Sequence, residues 1–205
     1  MSRIVTRVDV IRHGEPEGGN VLRGRTDHRL TTKGEEQFRS RLRRNNSPWT
    51  HIVTSPLQRC YASAHWLSSE NGIPVTVDER WAEIDYGDWE NRPMTELMDH
   101  KDSPIARLWT DPMNFCAPNG EAVPALQERV MEAWAHLISE HPGKNVLVVS
   151  HGGVMRVLAQ RLLELAPQAM NRLGIPYAGL MRFTIEQYDD GTHWVTLAGL
   201  DGEAL

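Results

Sequence analysis

Two apolar, β-branched runs, each stopping at a His-Gly pair, constrain this chain more than any other feature. Val8 to Ile11 leads into Arg12-His13-Gly14-Glu15, and Asn145 to Ser150 leads into His151-Gly152-Gly153. Each reads as a buried strand that stops at a loop. In open α/β sheets ligands sit outside the carboxyl ends of the strands, so both histidines fall where chemistry is carried out. A histidine there can serve as nucleophile, acid, base or metal ligand. Arg12 is permanently charged, and its fork matches phosphate. Gly14 has no Cβ, so the backbone there can turn sharply and approach a ligand closely. A third strand, His51 to Thr54, ends in Ser55-Pro56 with Arg59 one turn into the helix that follows. Free N–H groups at a helix start already favour anions. If these strands are neighbours, Arg12, His13, Arg59 and His151 converge on one point and can bind a phosphoryl group.

The rest of the chain supplies the layers. Thr32 and Glu35 have capping-box spacing, which predicts a helix from there to about Asn45. Ser55 as N-cap, Pro56 at the first helical position and Gln58 as its partner predict a second helix to about Glu70, stopping near Gly72. Pro74 to Val77 reads as a brief strand. From Asp78 to about Asn119 the periodicity weakens, with short helices expected near 94–100 and 103–110. This segment reads as an insertion over one end of the sheet. A longer helix is expected at about 121–141 and another from Gly152 to about Leu165. Leu180 to Glu186 and Trp194 to Ala198 read as closing strands around an Asp189-Asp190-Gly191 turn. Strands alternating with helices imply a doubly wound α/β protein: a three-layer αβα sandwich on a mostly parallel sheet. The expectation is one domain over residues 1–205, with a cap at about 85–119.

Composition removes several function classes. Of 205 residues 40% are hydrophobic, enough for a sizeable core. The net charge of −5 argues against a general nucleic-acid binder. Residues 1–44 nevertheless hold eleven Lys or Arg against six Asp or Glu, a balance of +5, which suits a small anionic ligand. No apolar run reaches the ~20 residues of a bilayer span. Two cysteines, Cys60 and Cys116, give neither a disulfide framework nor a zinc cluster, and the expected location is the cytoplasm. Cys60 has Trp66, and Cys116 has Ala122, where a cysteine phosphatase needs Arg. Val148 stands where a hydrolase elbow around Ser150 needs Gly. His136 and His141 are five residues apart, a spacing that does not align metal ligands on a helix.

In their order and spacing these residues resemble the histidine phosphatase superfamily over nearly the whole chain. The resemblance runs through Arg12-His13-Gly14-Glu15, Gly24-Arg25-Thr26-Asp27 with Leu30-Thr31 and Gly34, and Ser55-Pro56-Leu57 with Arg59. It continues through Glu83-Ile84-Asp85-Tyr86-Gly87-Asp88-Trp89-Glu90, Gly120-Glu121 and Ser150-His151-Gly152. It implies that His13 is phosphorylated during turnover, that Arg12, Arg59 and His151 hold the phosphoryl group, and that Glu83 donates the proton. Trp81 and Tyr86, on either side of Glu83, would shield it from water. Arg25, Asn20 and Gly152 join the substrate-binding set by the same resemblance. No metal and no cofactor are implied. Asp85 and Glu90 are the neighbouring carboxylates without a role in proton transfer. Three positions depart from the family pattern: Pro16 replaces Thr or Ser, Asn20 lies one place late, and Ala122 replaces Ser. The segment Trp109-Thr110-Asp111-Pro112 with Pro118-Asn119-Gly120-Glu121 resembles α-ribazole phosphatases of cobalamin assembly. The alternatives are a phosphosugar or phosphoglycerate phosphatase or mutase, and a non-catalytic phospho-ligand module. The expected partner is a small phosphomonoester, with no nucleic acid and no membrane. A homodimer is left open.

Overall fold

The structure is a computed structural model and describes residues 3–44, 48–99 and 103–201. Its centre is a six-stranded sheet in the order β3-β2-β4-β1-β5-β6. The strands are β1 (Arg3–Arg12), β2 (His51–Thr54), β3 (Val75–Val77), β4 (Asn145–Ser150), β5 (Leu180–Tyr188) and β6 (His193–Asp201). β3, β2, β4 and β1 run parallel, and β5 and β6 close the sheet antiparallel. The three strands that end in Arg12, Thr54 and Ser150 are therefore neighbours, with β4 in the middle.

Period-two alternation on the central strands builds both faces at once. Val146 and Val148 of β4, with Val8 and Val10 of β1, pack into a core under α5 (Val123–Glu140) and α6 (Gly152–Leu162). Leu147 and Val149, with Ile11 and Ile52, pack on the other face under α1 (Thr32–Arg44) and α2 (Gln58–Asn71). Burying each such aliphatic side chain stabilises by about 1.5–3 kcal/mol. Asp9 is the buried charge of β1, where Arg7 is exposed. It is buried but paired: Arg182, its register partner on β5, donates from Nε at 2.9 Å, and Trp49 Nε1 donates at 3.1 Å. A buried carboxylate is tolerated on such terms.

Two helix starts differ from the sequence expectation. α1 begins at Thr32 as expected, but the hydroxyl that accepts the Gly34 N–H belongs to Thr31, one residue earlier. The expected last residue, Asn45, lies outside the described residues. α2 begins at Gln58, not at Ser55-Pro56. Its first N–H is capped by Asp27 Oδ1 at 2.7 Å, from a distant loop. Ser55 accepts the Leu57 N–H at 3.3 Å and is engaged elsewhere as well, as described below. The far end of α2 follows the expectation: Gly72 sits in the left-handed region at φ 66° and donates to the Ser68 carbonyl.

The segment after β3 covers the carboxyl end of the sheet. It contains α3 (Met94–Met98), α4 (Arg107–Thr110) and several single helical turns. The helix expected near 94–100 has its last residue outside the described ones. Backbone bonds fasten this cap to the loop after β1: Leu22 N–H to the Arg92 carbonyl at 2.8 Å and Asn91 N–H to the Leu22 carbonyl at 2.8 Å. No helix among the described residues is long and apolar enough to cross a membrane.

Candidate active site

Four strand-end groups meet above β4. The His13 N–H donates to the Ser150 carbonyl at 3.0 Å, and the Ser55 N–H donates to the Val149 carbonyl at 3.0 Å. Those bonds extend the parallel ladder by one residue and bring the three loops together. The His13 and His151 rings lie edge to face with centroids 5.2 Å apart. Arg59 Nε stands between them, 3.3 Å from His13 Nε2 and 3.3 Å from His151 Nδ1. Arg12 comes in from the β1 side. Its Nη1 donates to the Ile175 carbonyl at 2.6 Å, and its guanidinium stacks on Tyr177 at 4.3 Å.

Each ring has an assignable tautomer. His13 Nδ1 lies 2.6 Å from the Gly14 carbonyl, an oxygen that only accepts, so Nδ1 carries the proton and Nε2 the lone pair. His151 Nε2 lies 2.7 Å from Ser55 Oγ, while its Nδ1 accepts from Arg59. The Cys60 thiol packs beneath, 3.5 Å from His151 Nε2, and burial raises its pKa so that it stays S–H. Burial first, then the charges of Arg59 and Arg12, hold His13 well below the ordinary histidine range. Burial, then Arg59, does the same for His151. Both imidazoles are neutral near pH 7, and the His13 lone pair points at the guanidinium between them.

The arginines are fixed before any ligand arrives. Arg59 is fully buried, and its two terminal nitrogens donate to the Thr26 carbonyl at 2.8 Å and the Gly24 carbonyl at 2.6 Å. Arg12 Nε and Arg25 Nε are both buried with no hydrogen-bond partner. Buried donors are almost always satisfied, so the orphaned Arg12 N–H, which feels the charges of Arg156 and Arg59, is a donor suited to an anion.

Glu83 is buried at 8% exposure beside the first turn of α6. Its Oε2 accepts the Gly153 N–H at 3.0 Å, and its Oε1 accepts the Ile84 N–H at 3.0 Å. A Cβ on Gly153 would meet Oε1 at 2.3 Å. The second glycine of His151-Gly152-Gly153 therefore makes room for this carboxylate. Gly152 is buried, and its missing Cβ leaves space between Arg12 and Arg156. Asn20 is exposed and makes its described contact through its carbonyl, which accepts from Met94.

Several site residues escaped the sequence reading. Gly14 has a use inside the fold: a Cβ there would lie 1.9 Å from the Gly34 carbonyl, so the glycine lets this loop cross the start of α1. Glu90 is no bystander. It accepts the backbone N–H groups of Arg25 at 2.7 Å, Thr26 at 2.9 Å and Tyr86 at 3.0 Å, with Gly24 and the Thr26 hydroxyl in addition. It ties the cap to the loop whose carbonyls hold Arg59. Ser55, expected as a helix cap, also holds His151 Nε2 at 2.7 Å. Arg23 and Arg156 add positive charge near the pocket, the first acting on His13 and the second on Arg12. Among the described residues, no three His, Cys, Asp or Glu side chains form a group able to hold a metal ion.

Two neutral imidazoles and two tethered guanidiniums at the carboxyl ends of the parallel strands make an α/β site with the chemistry to take a phosphoryl group. The chain belongs to the histidine phosphatase superfamily, branch 1, whose family profile matches residues 8–198. It is 30% identical over 184 residues to the probable phosphoglycerate mutase GpmB of Salmonella arizonae, covering 88% of this chain and 86% of that protein. Among solved structures it resembles YhfR of Bacillus stearothermophilus at 26% identity, with a TM-score of 0.82 and coverage of 95% and 96%. It also resembles the alpha-ribazole phosphatase of Shigella flexneri at 26% identity, with a TM-score of 0.78 and 96% of each chain covered. The α/β fold and the superfamily expected from the sequence are those found, and the shared chemistry is that of phosphatases and mutases.

Proposed function

We propose that the protein is a phosphomonoesterase that works through a phosphohistidine on His13 and needs no metal. The observation that carries this reading is the His13 lone pair, held neutral beside Arg59 Nε at 3.3 Å. Nε2 attacks phosphorus, the ester P–O bond breaks on the opposite side, and the alcohol oxygen takes a proton from Glu83. In the second half Glu83 takes a proton from water, the hydroxide oxygen bonds to phosphorus, and the P–N bond breaks to return neutral His13 and phosphate. A covalent nucleophile divides one difficult displacement into two easier ones. Charge on the phosphoryl oxygens persists throughout, so the fixed guanidiniums of Arg12 and Arg59, with His151, supply most of the stabilisation. Arg25, Asn20 and Gly152 complete the proposed substrate contacts.

Two substrate readings have separate support. The 109–121 segment and the likeness to the Shigella flexneri protein support α-ribazole 5′-phosphate and a place in cobalamin assembly. The name of the Salmonella arizonae relative supports phosphoglycerate, with hydrolysis or isomerisation. Both cysteines are free, which accords with a cytoplasmic location. Incubation with p-nitrophenyl phosphate tests the activity itself. Release of p-nitrophenolate that falls by several orders of magnitude in His13→Ala is the expected result. Near-normal turnover by a folded His13→Ala protein overturns the assignment, and a panel of phosphomonoesters ranked by kcat/KM separates the substrates.

A further inference from the structure

We propose that Arg156 reads a second anionic group, so that the preferred substrates are phosphomonoesters whose alcohol portion also carries a carboxylate or a phosphate. This rests on the phosphomonoesterase reading above. Arg156 lies one turn into α6 from Gly152. Its Nε donates to the Leu173 carbonyl at 3.1 Å, which fixes the stem of the side chain. Among the described residues its terminal nitrogens have no hydrogen-bond acceptor and no carboxylate partner. A Cβ on Gly152 would sit 3.4 Å from Arg156 Nη1 and 3.3 Å from Arg12 Nε. The two nitrogens therefore flank one small space that the glycine leaves open, and Arg12 Nε is buried without a partner. Two guanidiniums brought this close repel one another until an anion lies between or beside them.

The direction of Arg156 gives it a different task from Arg12. Its charge acts on the Tyr86 hydroxyl, and so does that of Glu83. Glu83 itself is held by Gly153, the residue next to Gly152. If Glu83 protonates the departing oxygen, Arg156 faces what is attached to that oxygen. A planar fork there matches a carboxylate or a phosphate and gains little from a neutral hydroxymethyl group. Such a contact ranks phosphoglycerate ahead of α-ribazole 5′-phosphate, whose alcohol portion carries no anion.

The test uses matched pairs. D-3-Phosphoglycerate and glycerol 3-phosphate differ by a carboxylate against a hydroxymethyl group. Fructose 1,6-bisphosphate and fructose 6-phosphate form the phosphate arm. The wild-type protein should favour the anionic member of at least one pair, and the arm that responds identifies the anion. In Arg156→Gln, kcat/KM for that member should fall roughly 10- to 100-fold while the neutral member and p-nitrophenyl phosphate change by less than about threefold. Arg156→Lys, which keeps the charge without the fork, should fall between, and it serves as the test variant if Arg156→Gln melts early. Calorimetric titration of His13→Ala and of His13→Ala/Arg156→Gln with both members of the responding pair gives the same ranking without turnover. Equal losses on both members, or a wild-type protein indifferent to the second anion in turnover and binding, overturn the proposal. A His13→Ala protein that still turns over while the Arg156 dependence holds would instead overturn the phosphohistidine reading alone.

Discussion

Glu90→Gln should damage both stability and catalysis, although Glu90 lies outside the phosphoryl pocket. Its Oε1 takes the N–H groups of Arg25 and Tyr86, and its Oε2 takes those of Gly24 and Thr26 together with the Thr26 hydroxyl. An amide offers one oxygen. Whichever way it is turned, its NH2 group faces two backbone N–H donors that then have no acceptor. Hydrogen bonds to a charged acceptor contribute about 1.5–3 kcal/mol each. Because the carboxylate is half-buried, the lower part of that range applies, giving a total near 3 kcal/mol for the two lost bonds. In a chain of this size that corresponds to a fall in Tm of about 6–12 °C. The loop that loses its anchor presents the Gly24 and Thr26 carbonyls to Arg59, so kcat/KM should fall about 10-fold or more, equally on alkyl and p-nitrophenyl esters. Thermal melts and kcat/KM on both ester types check this. Wild-type Tm and kcat/KM in the Gln variant would refute the anchoring argument, and a loss confined to alkyl esters would mean that Glu90 takes part in proton transfer. Burial opposes the charge on Glu90, but its bonds from the Thr26 hydroxyl and from the Tyr86, Arg25 and Thr26 N–H groups win and lower its pKa. Its contribution is therefore present at neutral pH and is lost as pH falls through that lowered value.

Glu83→Gln should cost a factor of roughly 10²–10⁴ on alkyl phosphates, whose alkoxide needs a proton, and far less on p-nitrophenyl phosphate; equal losses on both would give Glu83 another role. Gly153→Ala should reproduce that leaving-group pattern with a smaller loss of Tm than a backbone clash would bring, because the nearest atoms to its Cβ belong to the carboxylate end of the Glu83 side chain, the first at 2.3 Å. Gly14→Ala should fail to fold stably, since its Cβ would lie 1.9 Å from the backbone oxygen of Gly34; a soluble variant with wild-type Tm would show that this crossing is not tight. His13 and His151 are held well below the ordinary 6.5, so below that pH the unfolded chain binds more protons than the folded one and stability falls on acidification. Each contributes a slope of up to about 1.4 kcal/mol per pH unit, and a Tm unchanged between pH 7 and pH 5 would contradict their burial in the neutral form.

What could be read in advance was what local pattern controls. Strands buried on both faces become near-continuous apolar runs, so Val8–Ile11, broken only by Asp9, and Val146–Val149 announced themselves, and so did the His-Gly pairs at their ends. Gly72 marked a helix end because a left-handed residue there favours glycine whatever surrounds it. The misses share one cause, a side chain whose partner is remote in sequence. Ser55 before Pro56 fits an N-cap by local rules, yet the cap comes from Asp27 and the Ser55 hydroxyl goes to His151. Gly14 and Gly34 are each an ordinary glycine until the loop and helix that carry them cross. Glu90 sits in a run of acidic residues with nothing local to separate it from Asp85 or Asp88. Apart from the Tyr86 N–H, its donors come from residues 24–26, and only the fold brings that loop under the cap. Arg156 has the same character. Four residues after Gly152, it looks like one more cation on a helix. It becomes informative only beside the missing Cβ of Gly152 and the orphaned Nε of Arg12. The phosphoryl pocket is thus written in strand ends, which local sequence specifies, whereas the groups that orient it and face the rest of the substrate depend on tertiary encounters. Substrate choice is the part of function least legible in the sequence for that reason, and Arg156 is where the geometry now puts it within reach of measurement.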